Sequence, residues 1–121
     1  MRKTRFLKVS SSIPTDASGL SGEIKIGDTG KMQAIEIPNG TWATANITFQ
    51  ASTDQGTTYL DVYDADGNEV TATVGGTNRI IAVDPTIFAG FSHIKLRSGT
   101  TATPVDQTSS PTVNVLVEAN I

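Results

Sequence analysis

Between Ala43 and Val74 the chain alternates apolar and polar side chains in three runs separated by polar turns. Ala43, Ala45, Ile47, Phe49 and Ala51 interleave with Thr44, Asn46, Thr48 and Gln50. Leu60 and Val62 interleave with Tyr59, Asp61 and Tyr63, and Val70, Ala72 and Val74 with Thr71 and Thr73. A period of two puts one set of side chains on a core and the other in water, which is the geometry of a half-buried strand. Asp54-Gln55-Gly56 and Asp64-Ala65-Asp66-Gly67-Asn68 supply residue types that turn a chain tightly.

The pattern continues outside this stretch. Strands are expected over 22–26, with Ile24 and Ile26 inward, and over 32–37, with Ile35 and Ile37 inward, the two pairing through the turn 27–30. Pro38-Asn39-Gly40 reads as a hairpin turn into the run at Ala43. Further strands are expected over 79–83, 92–97 and 112–118, with Lys95 and Arg97 outward. Asp84-Pro85 sets a cap and a first helical position, so one helical or 3₁₀ turn is expected there, with Ile87 and Phe88 packed down. Residues 98–111 form a long polar loop. About eight short strands with no long helix predict an all-β fold, an antiparallel β-sandwich or jelly-roll-like single domain. At 121 residues the chain is one domain by size and buries enough surface for its own core.

Charge divides the chain unevenly. Arg2, Lys3, Arg5 and Lys8 lie in the first eight residues with no acid among them, while the whole chain has a formal net charge of -3. Residues 1–19 therefore read as an extended basic N-terminal arm and linker, and 20–121 as the β-sandwich domain. A first edge strand is the alternative for residues 1–12. A basic arm can meet an acidic protein surface, nucleic acid or an anionic membrane. The acidic body argues against nucleic acid as the partner. No apolar run approaches a membrane span, so no membrane partner is expected. The short run Phe6-Leu7-Lys8-Val9 does not make a signal peptide, which places assembly in a cytoplasm.

The chemistry-bearing residues are sparse. With no cysteine and the single histidine His93, thiolate metal sites, thiol nucleophiles and multi-histidine sites are excluded. Asp64–Asn68 resembles the start of a calcium loop, but position 75 is glycine where a further acid would be needed, and the flanks are strands. An ordinary hairpin is the reading, with a weak surface cation as the alternative. His93 shares the parity of Lys95 and Arg97 and reads as a surface residue, with no nucleophile-elbow motif nearby. Neither Gly75-Gly76 nor Gly27-x-x-Gly30 is followed by the Lys-Ser/Thr of a phosphate loop. Trp42, Tyr59 and Tyr63 are candidates for a sugar-binding platform or for subunit contact. Leu116 has outward parity on the last strand and is a second contact candidate. No catalytic residue, cofactor or metal is assigned, and no enzymatic activity is expected.

The segments Ile47–Val70 (ITFQASTDQGTTYLDVYDADGNEV) and Asp84–Thr100 (DPTIFAGFSHIKLRSGT) resemble β-rich virion structural proteins of tailed bacteriophages. The shared pattern is F-Q-x-S-x-D-x-G before an aromatic strand, D-P-x-x-F-x-G before I-K-L-R-S-G-T, and a late glutamine, here Gln107. It covers roughly residues 40–120. The resemblance implies a capsid decoration or cement protein, or a head-associated or fibre protein, without enzymatic activity and commonly oligomeric, often trimeric. Its implied partner is the major capsid protein, and its implied place is the capsid surface of the virion. On that basis Arg2, Lys3, Arg5 and Lys8 are expected to reach an acidic groove on a partner, and deletion of residues 2–12 is expected to weaken shell binding while leaving the fold intact. A carbohydrate- or receptor-binding module of a phage fibre is the runner-up, with Trp42, Tyr59 or Tyr63 exposed in a groove.

Overall fold

The computed structural model describes residues 4–27 and 30–120, with side chains over 6–27 and 30–118. Eight strands run in the order β1 (Thr4–Ser12), β2 (Ile24–Lys25), β3 (Lys31–Ile37), β4 (Ile47–Ser52), β5 (Leu60–Asp61), β6 (Arg79–Ala82), β7 (His93–Ser98) and β8 (Thr112–Asn120). They form two four-stranded sheets, β1-β8-β3-β6 and β2-β7-β4-β5, with every pair antiparallel. The all-β sandwich expected from the alternation is the observed architecture.

The alternating residues build the core. Ile35 and Ile37 of β3, Val113, Val115 and Val117 of β8, Ile47 and Phe49 of β4, and Ile94 and Leu96 of β7 are all at most 1 % exposed. These mostly β-branched side chains pack well on a pleated surface, and each full burial stabilises the fold by about 1.5–3 kcal/mol. The turn at Asp84 also forms as expected. Asp84 Oδ1 accepts from Thr86 N at 3.0 Å and Thr86 Oγ1 at 2.7 Å, and Phe88 N donates to Pro85 O. That turn drives Phe88 into the core, where its ring meets Phe49 edge-on at 4.9 Å between centroids. Such a pair adds about 0.5–1.5 kcal/mol beyond area burial.

Four local expectations give way to tertiary pairing. Residues 4–12 do not project as an arm, because β1 pairs with β8 in continuous register from Thr4↔Asn120 to Ser12↔Thr112. Val9 packs against the core and Ile13 is fully buried, so the segment is an edge strand of the domain. The segments 22–26 and 32–37 do not pair with each other: β2 lies beside β7 and β3 beside β8 and β6. Asn39-Gly40 therefore carries the chain from one sheet to the other rather than closing a hairpin. Lastly, residues 70–74 make only one bridge, Ile47↔Ala72, although Ala72 and Val74 are buried as the alternation requires. Val74 N bonds Asn46 Oδ1 instead of a neighbouring strand.

The stacking fixes which edges lie where. β1 touches β2 across the sandwich, so both mark one lateral edge. β5 and β6 end their sheets at the opposite edge.

Candidate functional site

The outer face of the β2-β7-β4-β5 sheet holds the chain's densest polar constellation, centred on Arg97. Alternation sends Arg97 outward on β7, yet its side chain is only 5 % exposed. Arg97 Nη2 donates to Asp61 Oδ1 at 2.6 Å, and Nη1 lies 3.4 Å from Glu69 Oε2. Nη1 also donates to Thr101 Oγ1 at 2.8 Å and Thr48 Oγ1 at 3.3 Å. Thr101 N and Oγ1 donate in turn to the Glu69 carboxylate. One guanidinium thus ties together β4, β5, β7, the hairpin ending at Glu69 and the loop at Thr101. The Arg97 hydrogen bond holds the Asp61 carboxyl below its ordinary range, against a smaller upward push from desolvation. Burial this deep requires satisfied hydrogen bonds, and the described residues contain no buried side-chain polar atom without a partner.

Beside it, the turn after β4 folds over His93. Asp54 Oδ1 accepts from Ser52 Oγ and Thr58 N, and Gly56 N donates to Ser52 Oγ. The Ser52 hydroxyl is the main reason the Asp54 carboxyl titrates below its ordinary value. Gly56 has φ +87°, a conformation that favours glycine, and a Cβ there would push the flexible Glu23 carboxylate aside. His93 is 9 % exposed, with Nδ1 3.1 Å from Ser92 Oγ. The expectation of a surface histidine fails because the 53–57 turn covers the face that β7 would otherwise show to water.

The aromatic candidates separate. Trp42 is half-buried against the core, and its Nε1 donates to Ala45 O at 3.1 Å. The Tyr59 hydroxyl donates to Glu23 Oε1, and Lys95 Nζ sits 4.4 Å above the ring. Desolvation, reinforced by Glu23, pushes the phenol well above its ordinary pKa. One face of Tyr59 is thereby occupied by a cation. Tyr63 remains 52 % exposed. It stands over an open groove of about 360 Å³ that Leu60, Val62, Phe91, Asp54 and Asp61 also line. Leu60 stands opposite Ala51 on the core side, but β5 is the last strand of its sheet and Leu60 is 70 % exposed. Its expected inward burial fails because no strand of the other sheet covers that edge.

The contact candidates on the other sheet lie on its outer face. Leu116 is 36 % exposed and stands between Lys8 on β1 and Ala34 on β3. Ile80 on β6, 69 % exposed and unremarked in the sequence, stands opposite Glu36. Lys8 Nζ lies 3.3 Å from Glu36 Oε1. Arg5 lies on β1 opposite Ala119, with its side chain outside the described set, and Arg2 and Lys3 fall outside the described residues. Asp64–Asn68 is a closed hairpin turn in which Asp64 Oδ1 accepts from Asp66 N and Asn68 N. Among the described residues no group of three or more acidic or histidine side chains is placed to hold a metal ion.

No family model matches the sequence, and no curated protein matches it. The fold does match the crystal structure of the SPBc2 prophage-derived protein YomS, with a TM-score of 0.53 over 95 % of this chain and 96 % of that one. The two chains are 18 % identical. The likeness is one of fold. It spans both chains almost end to end, so β1 and β8 fall within the shared architecture.

Among the described residues no helix is long and apolar enough to cross a membrane.

Proposed function

We propose that this chain is a non-enzymatic structural protein of a tailed-phage virion that binds the capsid shell and stabilises or decorates it. The observation that carries the reading is the near end-to-end likeness to a prophage-derived protein, joined to the motif resemblance over residues 40–120. The polar chemistry of the molecule supports the same reading. Arg97, Asp61, Glu69 and Thr101 bond to one another and lock loops, which suits a rigid scaffold. The outer face of the β1-β8-β3-β6 sheet offers Leu116 and Ile80 beside the exposed Lys8–Glu36 pair, an apolar patch with a polar rim of the kind found at protein contacts. The major capsid protein is the partner in this reading. The assembled state is an oligomer, a trimer in its fullest form, and the location is the capsid surface after assembly in the host cytoplasm.

Mass spectrometry of density-banded virions from the phage encoding this chain tests the proposal. The protein is expected in a fixed ratio to the major capsid protein, and its absence from banded particles overturns the reading. The double variant Leu116→Asp with Ile80→Asp is expected to lose capsid occupancy while keeping its thermal stability. Deleting residues 2–12 does not separate the two effects, since that change removes β1.

The carbohydrate-binding alternative retains one ring of three, Tyr63 over its groove. A glycan-array signal abolished by Tyr63→Ala would favour it over the shell-binding reading.

A further inference from the structure

Two surfaces at opposite lateral edges of the sandwich remain without partners, and they are complementary. The first is β1. Among the described residues its backbone pairs along one side only, with β8, so the other side of a nine-residue strand is a free sheet edge. Phe6 and Leu7, on its two faces, are 61 % and 41 % exposed. Residues 1–15 contain four cations and no acid.

The second is the groove beside β5. Leu60 and Tyr63 stand exposed at its mouth, and Val62 and Phe91 line its apolar wall. This is the place where the core of the β2-β7-β4-β5 sheet runs out uncovered. Residues 54–69 contain the acids Asp54, Asp61, Asp64, Asp66 and Glu69 and no Lys or Arg. Arg97 reaches two of these, Asp61 and Glu69. Segment 54–69 is acidic where residues 1–15 are basic, although Lys8 of β1 already pairs with Glu36.

The two surfaces cannot meet within one molecule, because β1 lies over β2 at one lateral edge while β5 closes its sheet at the other. We propose that β1 of one copy docks on the groove beside β5 of a second copy, making a head-to-tail contact. Phe6 and Leu7 would extend the core over Leu60 and Tyr63, with the basic strand against the acidic segment. A contact between two different patches is heterologous: repeated, it closes into a ring where the rotation between copies divides a full turn and grows into an open filament where it does not. This deepens the oligomeric part of the proposed function, yet it concerns self-association alone and is read on the purified protein without capsids.

Mixing variants tests it. Phe6→Ser damages only the strand side and Leu60→Ser only the groove side, and both residues are exposed enough for the fold to tolerate the change. Tyr63→Ser stands in for Leu60→Ser if that variant loses its circular-dichroism melt. Light-scattering mass over a concentration series is expected to give an oligomer for the wild type and a monomer for each variant. An equimolar mixture of the two variants is expected to give a one-to-one dimer, because it contains one intact pair of surfaces. A wild type that stays monomeric overturns the proposal, and so do variants that keep the wild-type mass. A mixture that stays monomeric also overturns it, since the intact strand of one variant would then have failed to find the intact groove of the other. Capsid occupancy retained by a monomeric wild type would remove the inference and leave the shell-binding reading standing.

Discussion

Arg97 shows how a residue on the water side of a strand becomes a structural keystone. Its guanidinium faces two carboxylates, and removing it leaves Asp61 and Glu69 close together, partly buried and without their cation. Breaking a buried ion pair from one side costs about 3 kcal/mol. Arg97→Met is therefore expected to lower the melting temperature by about 10 °C, measured by calorimetry. The same site sets a pH dependence. Because Asp61 titrates lower in the folded state than in the unfolded chain, its contribution is complete above the unfolded value of about 3.9. It is lost as the pH falls through the lower folded value, and Asp61→Asn is expected to flatten that acid limb of the stability curve. Gln107 makes a second residue-scale prediction. Fully buried, it donates from Nε2 to Ala43 O and accepts from Ala43 N, standing in for a strand neighbour. Gln107→Leu keeps the volume but strands both backbone groups, for an expected loss of about 2 kcal/mol in urea titration. Sequence marked Arg97 as outward and noted Gln107, but neither role was legible. Both depend on loops at 69, 101 and 43 that come from distant parts of the chain, and periodicity carries no information about what lies over a face.

At the scale of elements, the runs that alternate most cleanly, 47–51, 94–96 and 113–117, became buried strands as expected. Their neighbours were not legible, because a period of two names a face and says nothing about which strand lies beside it. That is why 22–26 and 32–37 looked like a hairpin and instead divided between sheets. It is also why the basic segment read as an arm. Its Phe6-Leu7-Lys8-Val9 run lacks strong patterning, and β8 supplies the register that makes it a strand. Removing residues 1–12 is accordingly expected to abolish a single cooperative unfolding transition in denaturant rather than to leave a trimmed but intact domain. A smaller test applies to the turn over His93. Gly56→Ala forces a side chain into φ +87° and against Glu23, and is expected to cost about 1–2 kcal/mol by chemical denaturation.

For the whole molecule, the net charge of -3 conceals a separation of sign between residues 1–15, which hold four cations, and residues 54–69, which hold five acids. Exposed charges interact over a Debye length of about 10 Å at 0.1 M salt, shortened to about 3 Å at 1 M. The head-to-tail contact is thus expected to weaken about tenfold across that range in sedimentation equilibrium, while its apolar part persists. Such an edge was half legible. The basic segment stood out in the composition, whereas the groove beside β5 arises from a two-residue strand with nothing opposite it. Only three dimensions reveal that.

β8 lies between β1 and β3, the first strand and the third. On a ribosome, therefore, β1 has no neighbour in its own sheet until Thr112 and the residues after it have been made. During most of synthesis the long basic strand waits unpaired, and the last strand to emerge joins both halves of the sheet at once. Folding of this domain is consequently gated by the closure of its most distant residues, which must meet across about a hundred positions of chain.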